Sequence, residues 1–134
     1  MMDMVLYKEA MEVGYLFNKK YSGDCRTEDW NASEEVSYFC KKIIKKAEKH
    51  KCSVEESFEK YGDKLIEKIG IKMKFENHIS HMWDEYCKGF LAGQIIGLPT
   101  EENMMLVDRA ERLWEDTDKY GYYQEVLEDV RRGV

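Results

Sequence analysis

The chain has 134 residues, of which 43% are hydrophobic and 36% charged, and a formal net charge of −6 at pH 7. This composition is typical of a folded globular protein and argues against a disordered chain, and the length suits one helical domain over residues 1–134. No stretch approaches the ~20 apolar residues that a membrane-spanning helix requires, and the first residues lack the pattern of a signal peptide, so a cytoplasmic protein is expected.

The charge is unevenly distributed along the chain. Residues 1–40 carry 4 basic and 8 acidic side chains, residues 41–74 carry 11 and 6, and residues 75–134 carry 6 and 13. A basic centre between acidic ends can be neutralised within the fold, or it can present faces of opposite sign to partners.

Apolar residues recur at three- and four-residue steps through most of the chain, which predicts an all-α bundle of five to six helices. Asp3 can cap a first helix that runs to about residue 20, and Ser33 can cap a second. Ser53 and Glu56 form a capping box at the start of a third helix, which Gly70 is placed to end.

The fourth helix is predicted to be the long central one, over about residues 72–97, since a Gly-Leu-Pro sequence follows it. Thr100 can cap a fifth helix that ends near Gly121, and a short sixth helix covers residues 122–132. No segment alternates with the period of a strand.

Two imidazoles and a carboxylate share one side of the predicted fourth helix. At 100° per residue, His78, His81 and Glu85 fall within about 60° of one another, so they could ligate zinc or iron. Their spacing differs from the HExxH and ExxH patterns of common helical metal sites. The alternative is that His78 borders the apolar stripe while His81 and Glu85 pair with each other.

Three glycines, Gly89, Gly93 and Gly97, lie four residues apart in the same predicted helix. Each costs about 1 kcal/mol in a helix interior, so three in register indicate that another backbone approaches closely. The simplest interpretation is tight packing against a helix of the same chain. The alternatives are a homodimer interface or a groove for a ligand or a partner helix.

Lysines occupy the arc opposite the apolar stripe of the second helix, where the phosphates of a nucleic acid could bind. No arginine lies among them to recognise a base edge and no aromatic residue to stack on a base, and lysine is also a common way to solvate a helix face. These lysines are Lys41, Lys42, Lys45, Lys46 and Lys49.

Acidic and aromatic residues are concentrated in the C-terminal third. Exposed tyrosine and tryptophan beside acid would suit a basic protein partner, because these aromatics dominate interface hot spots. In the alternative interpretation, the tryptophan and some of the tyrosines belong to the core. The candidate protein-binding residues are Asp108, Glu111, Trp114, Glu115, Tyr120, Tyr122 and Tyr123.

No pattern in the chain indicates a nucleophile or a bound cofactor. The leading hypothesis is a non-catalytic regulator or inhibitor that acts through contacts with another protein. In composition the chain resembles small lysine- and glutamate-rich helical proteins of bacteria and their phages, which implies a bacterial or phage accessory system. The alternatives are a metal-binding protein or metal-dependent enzyme using the histidine arc, and a nucleic-acid accessory protein using the lysine face.

Overall fold

The computed structural model describes residues 3–21, 33–73 and 84–133, with the side chains of residues 35–69 in the second range. These residues form six helices and no strand, which confirms the predicted all-α fold. None of the six helices combines the length and the apolarity that crossing a membrane requires. The helices are α1 (Met4–Tyr21), α2 (Ser33–His50), α3 (Val54–Met73), α4 (Glu85–Ile95), α5 (Glu101–Asp116) and α6 (Tyr123–Arg131).

Three helices begin at caps that the sequence predicts. The side chains of Asp3, Ser53 and Thr100 each accept a hydrogen bond from the backbone N–H three residues further on, at 3.0 to 3.2 Å. These bonds satisfy amide groups that have no partner within the helix, which explains why such residues mark helix starts.

A single long helix over residues 72–97 is not confirmed, because α4 begins only at Glu85. The residue before it, Asp84, has an extended backbone with φ −82° and ψ 175°. Its carboxylate accepts hydrogen bonds from the amide of Cys87 at 2.9 Å and from the hydroxyl of Ser37 in α2 at 2.6 Å. The cap is therefore held by a contact between helices, which helical periodicity does not report.

The end of α3 also differs from the prediction. The helix continues through Gly70 to Met73, so residues 72 and 73 belong to α3. A glycine costs only about 1 kcal/mol in a helix interior, and the packing of the surrounding helix can offset that cost.

The buried side chains form two clusters that share α1 and α4. The first also involves α2 and α3, and at its centre Phe17, Phe39 and Phe90 pack edge to face with ring centroids 5.3 to 6.3 Å apart. The second also involves α5 and α6 and contains Tyr7 and Tyr123, both fully buried. The α1–α4 pair is therefore the common wall of both clusters.

Close backbone contact joins α1 to α4. A methyl group added at Gly89 or Gly93 would overlap backbone carbonyl oxygens of α1, and one added at Gly14 of α1 would overlap the carbonyl oxygen of Phe90. We call these three residues the glycine seam. The structure thus places Gly89 and Gly93 against a helix of the same chain, which leaves no room there for a second copy.

The third predicted member of the row has a different role. Gly97 follows the end of α4 and has φ +125°, a backbone conformation that residues other than glycine rarely adopt. It allows the chain to turn towards α5 and takes no part in the glycine seam.

Candidate functional site

Two of the predicted protein-binding residues lie in the interior. Tyr123 is fully buried and Glu111 is 9% exposed. The hydroxyl of Tyr123 donates to the carboxylate of Glu111 at 2.7 Å, and the hydroxyl of Tyr7 lies 2.8 Å from that of Tyr123. Because Tyr123 has one proton and gives it to Glu111, Tyr7 is the donor between the two tyrosines.

A lysine completes this buried polar chain. The ammonium group of Lys88 in α4 lies 3.1 and 3.3 Å from the two carboxylate oxygens of Glu111, and both side chains are almost wholly buried. Burial raises the pKa of Tyr7 and of Tyr123, so both hydroxyls keep their protons. The chain of hydrogen bonds joins α1, α4, α5 and α6, so Glu111 and Tyr123 act within the fold and are not part of an exposed acidic face.

The remaining residues of the acidic third are partly engaged with one another. Asp108 forms an ion pair with Arg112 one turn further on in α5. The hydroxyl of Tyr120 donates to Asp129 at 2.8 Å, and this hydrogen bond is the main reason why the pKa of Asp129 is lowered.

The aromatic residues of this third divide between surface and interior. The half-buried indole of Trp114 packs edge-on against Tyr123 with ring centroids 5.5 Å apart, and Tyr122 is 47% exposed. Glu115 is also exposed. The acidic third therefore presents Asp108, Glu115 and Tyr122 to solvent, a smaller surface than the sequence predicts.

The predicted metal arc falls largely outside the described residues. Both His78 and His81 lie there, and only Glu85, the first residue of α4, is described. Within the described ranges, no group of three His, Cys, Asp or Glu side chains is arranged to hold a metal ion. The metal site stays a prediction.

The lysine face of α2 lies along a hairpin that α2 forms with α3. The turn between the two helices is short. Lys51 has φ 52°, the amide of Cys52 donates to the carbonyl of Ala47 at 3.0 Å, and Ser53 caps α3. A residue in the left-handed region followed by a cap reverses the chain within three residues, so the two helices run side by side.

A groove of about 230 Å³ runs between the exposed edges of these two helices. Cations line both of its walls, and two half-buried tyrosine rings lie between them. We call it the lysine groove. Its described lining residues are Tyr38, Lys42 and Lys46 from α2 and Tyr61, Lys64, Leu65 and Lys68 from α3.

Only part of the predicted lysine face contributes to the groove. Lys42 and Lys46 line it, whereas Lys41, Lys45 and Lys49 are exposed on α2 but are not among its lining residues. The packing of α3 against α2 therefore divides the predicted lysine face, and only Lys42 and Lys46 lie in the groove.

Lysine side chains lie over the tyrosine rings of the groove. The ammonium group of Lys46 is 4.6 Å from the ring centroid of Tyr61, and that of Lys42 is 5.6 Å from the ring centroid of Tyr38. The imidazole of His50 stacks on Tyr61 with centroids 5.6 Å apart and planes 25° apart. The Tyr61 ring is therefore oriented by a neighbour that lies outside the groove lining.

The four lysines of the groove have no anionic partner in the described part of the chain, where no carboxylate lies within 4.0 Å of their ammonium groups. Asp63, an acidic residue of α3, lies on another side of the helix. Asp63 pairs with Lys20 at 3.2 Å and accepts a hydrogen bond from Tyr21, both in α1. Asp63 immediately precedes Lys64, so its side chain projects about 100° around the helix from that of Lys64.

The same division of charge is seen where α1 approaches the hairpin. Burial raises the pKa of Glu9 and of Glu12, and the nearby charges of Glu48 and Glu55, respectively, raise them further. The hairpin thus has an acidic side towards α1 and a basic side at the groove.

Sequence reasoning missed Tyr38, Tyr61, Lys64 and Lys68 as members of this site. Part of the signal was present, because Tyr38 precedes Lys42 and Lys46 at four-residue steps, which places all three on one face of α2. The pairing of that face with Lys64 and Lys68 depends on how α2 and α3 pack, and no local pattern reports it.

Comparisons of the chain with protein-family models, with curated proteins and with solved structures give no match. The chemistry of the groove itself is therefore the basis for a functional proposal.

Proposed function

We propose that this protein is a non-catalytic binding module, a small regulator that holds a negatively charged macromolecule in the lysine groove. The observation that carries the proposal is the convergence of four lysines from two helices on one groove, without a carboxylate partner among the described residues. Lysine is well suited to this role because its ammonium group is a mobile point charge with three donors.

The arrangement is electrostatically unfavourable in the absence of an anion. Lys42 and Lys46 are four residues apart, as are Lys64 and Lys68, and like charges at this spacing destabilise a helix by about 0.2–0.5 kcal/mol per pair. The chain has 27 acidic residues with which such lysines could pair. A bound polyanion would remove the repulsion along both walls, which favours binding as the reason for the arrangement.

Among the described residues, the titratable groups with strongly raised pKa values lie in the core, away from the groove. Burial raises the pKa of the Cys87 thiol to about 12 and that of the Cys40 thiol well above its ordinary value. Both thiols, like the hydroxyls of Tyr7 and Tyr123, are in the core and remain protonated at neutral pH. They stabilise the fold, while the groove offers cations and rings that suit an anionic ligand.

The expected partner differs from the one that the acidic third suggests. A basic protein would be the natural ligand of that third, but two of its residues are buried and Asp108 is paired with Arg112. The lysine groove would bind a negatively charged partner, so we assign the docking surface to the hairpin of α2 and α3.

Retention on immobilised heparin tests the proposal. A chain of net charge −6 should flow through this polyanion unless it carries a concentrated basic surface. We expect the protein to bind at low salt and to elute as salt rises. The double variant Lys64→Gln with Lys68→Gln should elute at clearly lower salt than the unmodified protein.

The matched control is Lys8→Gln with Lys19→Gln, two exposed lysines of α1 outside the groove. It has the same net charge as the groove variant and should elute like the unmodified protein. Flow-through of the unmodified protein, or equal shifts for both double variants, would contradict the proposed function.

A further inference from the structure

Resting on the proposed function, the geometry points to a single-stranded nucleic acid as the polyanion of the lysine groove, and we propose it as the ligand. Its phosphates would bind the lysine rows, and its bases would stack on the tyrosine rings. The combination of cations and rings within one groove favours a nucleic acid, since cations alone would accept any polyanion.

The lysines are spaced to follow a phosphate backbone. Lys42 and Lys46 are separated by four residues along α2, and Lys64 and Lys68 by four residues along α3. Four residues correspond to a rise of about 6 Å along a helix, comparable with the separation of successive phosphates in an extended strand. The described lining contains no arginine, whose planar fork recognises guanine, so binding should depend little on base sequence.

Tyr61 is the ring best prepared for a base. His50 stacks on it and holds its orientation, while two flexible lysine side chains also contact the ring, with the ammonium groups of Lys46 at 4.6 Å and Lys60 at 5.5 Å from its centroid. A cation–π contact at an exposed site is weaker than stacking of a base on an aromatic ring. A phosphate of the strand can therefore attract the ammonium group of Lys46, and a base can then stack where that group was.

The lining favours a strand over an acidic protein helix. A helix that docks in a groove needs apolar anchors on successive turns and hydrophobic pockets to receive them. Leu65 is the one aliphatic side chain among the described lining residues, and it is only 6% exposed. A duplex is also disfavoured, because its bases are already stacked and cannot reach the tyrosine rings.

Fluorescence anisotropy with a labelled oligothymidylate of about 12 nucleotides tests the inference, since such a strand matches the site size of small single-strand binding domains. We expect binding that weakens with salt, with a log–log slope reduced by about 1.4 in the Lys64→Gln, Lys68→Gln variant, or about 0.7 for each phosphate that a lysine no longer neutralises. Duplex DNA of the same length and polyglutamate should bind at least tenfold more weakly than the single strand.

Substitution of the ring separates stacking from simple charge attraction. Tyr61→Leu keeps an apolar side chain but removes the ring face, and it should weaken oligothymidylate binding about 5- to 100-fold. The matched control Tyr61→Phe keeps the ring and should bind like the unmodified protein. If Tyr61→Leu does not unfold in a cooperative thermal transition, the same comparison is made at Tyr38 on the other wall of the groove. Tyr38→Leu is then the test variant and Tyr38→Phe its control.

The outcomes distinguish this inference from the proposed function. If an abasic oligomer of the same length binds as tightly as oligothymidylate and Tyr61→Leu has no effect, the groove holds a phosphate chain without its bases, and the inference is overturned while the proposed function stands. Tighter binding of polyglutamate than of oligothymidylate would likewise overturn the inference in favour of an acidic protein. If none of these polyanions binds and heparin does not retain the protein, both are overturned.

Discussion

In the α1–α4 pair, three glycines let two backbones touch, and buried side chains flank the contact on both sides. In the α2–α3 pair, lysine and tyrosine side chains line the exposed edges of the helices, and a groove of about 230 Å³ remains between them. Both pairs are neighbouring helices of one bundle, but the first has no space for another molecule and the second does.

The difference shows how side-chain size and charge assign roles to helix pairs. A missing Cβ shortens the distance between two helices and excludes solvent from their contact. Long cationic side chains keep their charged ends in water while their stems cover the apolar surface beneath. The α1–α4 pair therefore stabilises the fold, and the α2–α3 pair keeps an accessible surface that can bind a ligand.

The largest effect is expected from filling the glycine seam. A leucine at Gly93 would overlap backbone atoms of α1, which cannot move aside as a side chain can. We expect Gly93→Leu to lower the free energy of unfolding by more than about 4 kcal/mol, measured by urea denaturation. Gly62→Ala is the control, because a methyl group there meets only the Phe58 ring at 3.8 Å, and it should raise stability by about 0.5–1 kcal/mol. Equal effects at the two sites would contradict the seam.

The second prediction compares a buried lysine with a lysine of the groove. Lys88→Met would leave the Glu111 carboxylate buried without its cation, and we expect a loss of about 3 kcal/mol in the free energy of unfolding. Lys64→Met, in the open groove, should change stability by less than about 0.5 kcal/mol. The double variant Lys88→Met with Glu111→Gln should recover much of the loss, since no unpaired charge then remains buried and the amide oxygen can still accept the hydrogen bond from Tyr123. Failure of the second change to restore stability would show that the ion pair is not the cause.

A smaller effect is expected at the turn that builds the groove. Lys51 has φ 52°, and side chains in this conformation cost about 1 kcal/mol relative to glycine. Lys51→Gly should therefore raise the melting temperature and leave heparin retention nearly unchanged, because Lys51 is not among the lining residues. A fall in the melting temperature would indicate that the Lys51 side chain has a stabilising contact in solution.

The smallest effect concerns the acidic side of the hairpin. Burial, with a further contribution from Glu55, raises the pKa of Glu12 above its ordinary value of 4.5. Its charged form is therefore less favourable in the folded chain, and this cost is present at neutral pH and disappears as pH falls below 4.5. Glu12→Gln should raise the free energy of unfolding slightly at pH 7, by under ~0.5 kcal/mol, and leave it unchanged at pH 3. An equal gain at both pH values would mean that charge is not the reason.

Local patterns were sufficient for most of the helix starts and insufficient for the sites. The caps at Asp3, Ser53 and Thr100 could be predicted because each acts on an amide three residues away. Asp84 also acts on an amide three residues away, that of Cys87, but it was missed as a cap because the apolar residues on both sides of it fit one continuous helical stripe. The glycine row indicated a close contact, but Gly14, its counterpart in α1, has no neighbouring glycine to reveal it.

The spacing of apolar residues in the sequence indicated that Glu111 is buried, but its charge suggested an exposed position. It lies four residues after Val107 and three before Trp114, so it is within the apolar stripe of α5. Tyr123 lies three and four residues before the buried residues Val126 and Leu127, so it is on the apolar side of α6. Periodicity placed both residues on the inner side, whereas residue type suggested a surface. The structure agrees with periodicity, because Lys88 and Tyr123 supply the partners that offset the cost of burying the Glu111 carboxylate.

The sequence by itself determined that the chain is helical, where most helices begin, and which face of each is apolar. These properties arise from hydrogen bonds and side-chain spacings within a few residues, so short stretches of the sequence are enough to predict them. Only the tertiary structure decided that Lys88 is a buried ion-pair partner and that Lys64 lines an open groove. Both are helical lysines, and their environments differ because residues distant in the chain became their neighbours when the helices packed.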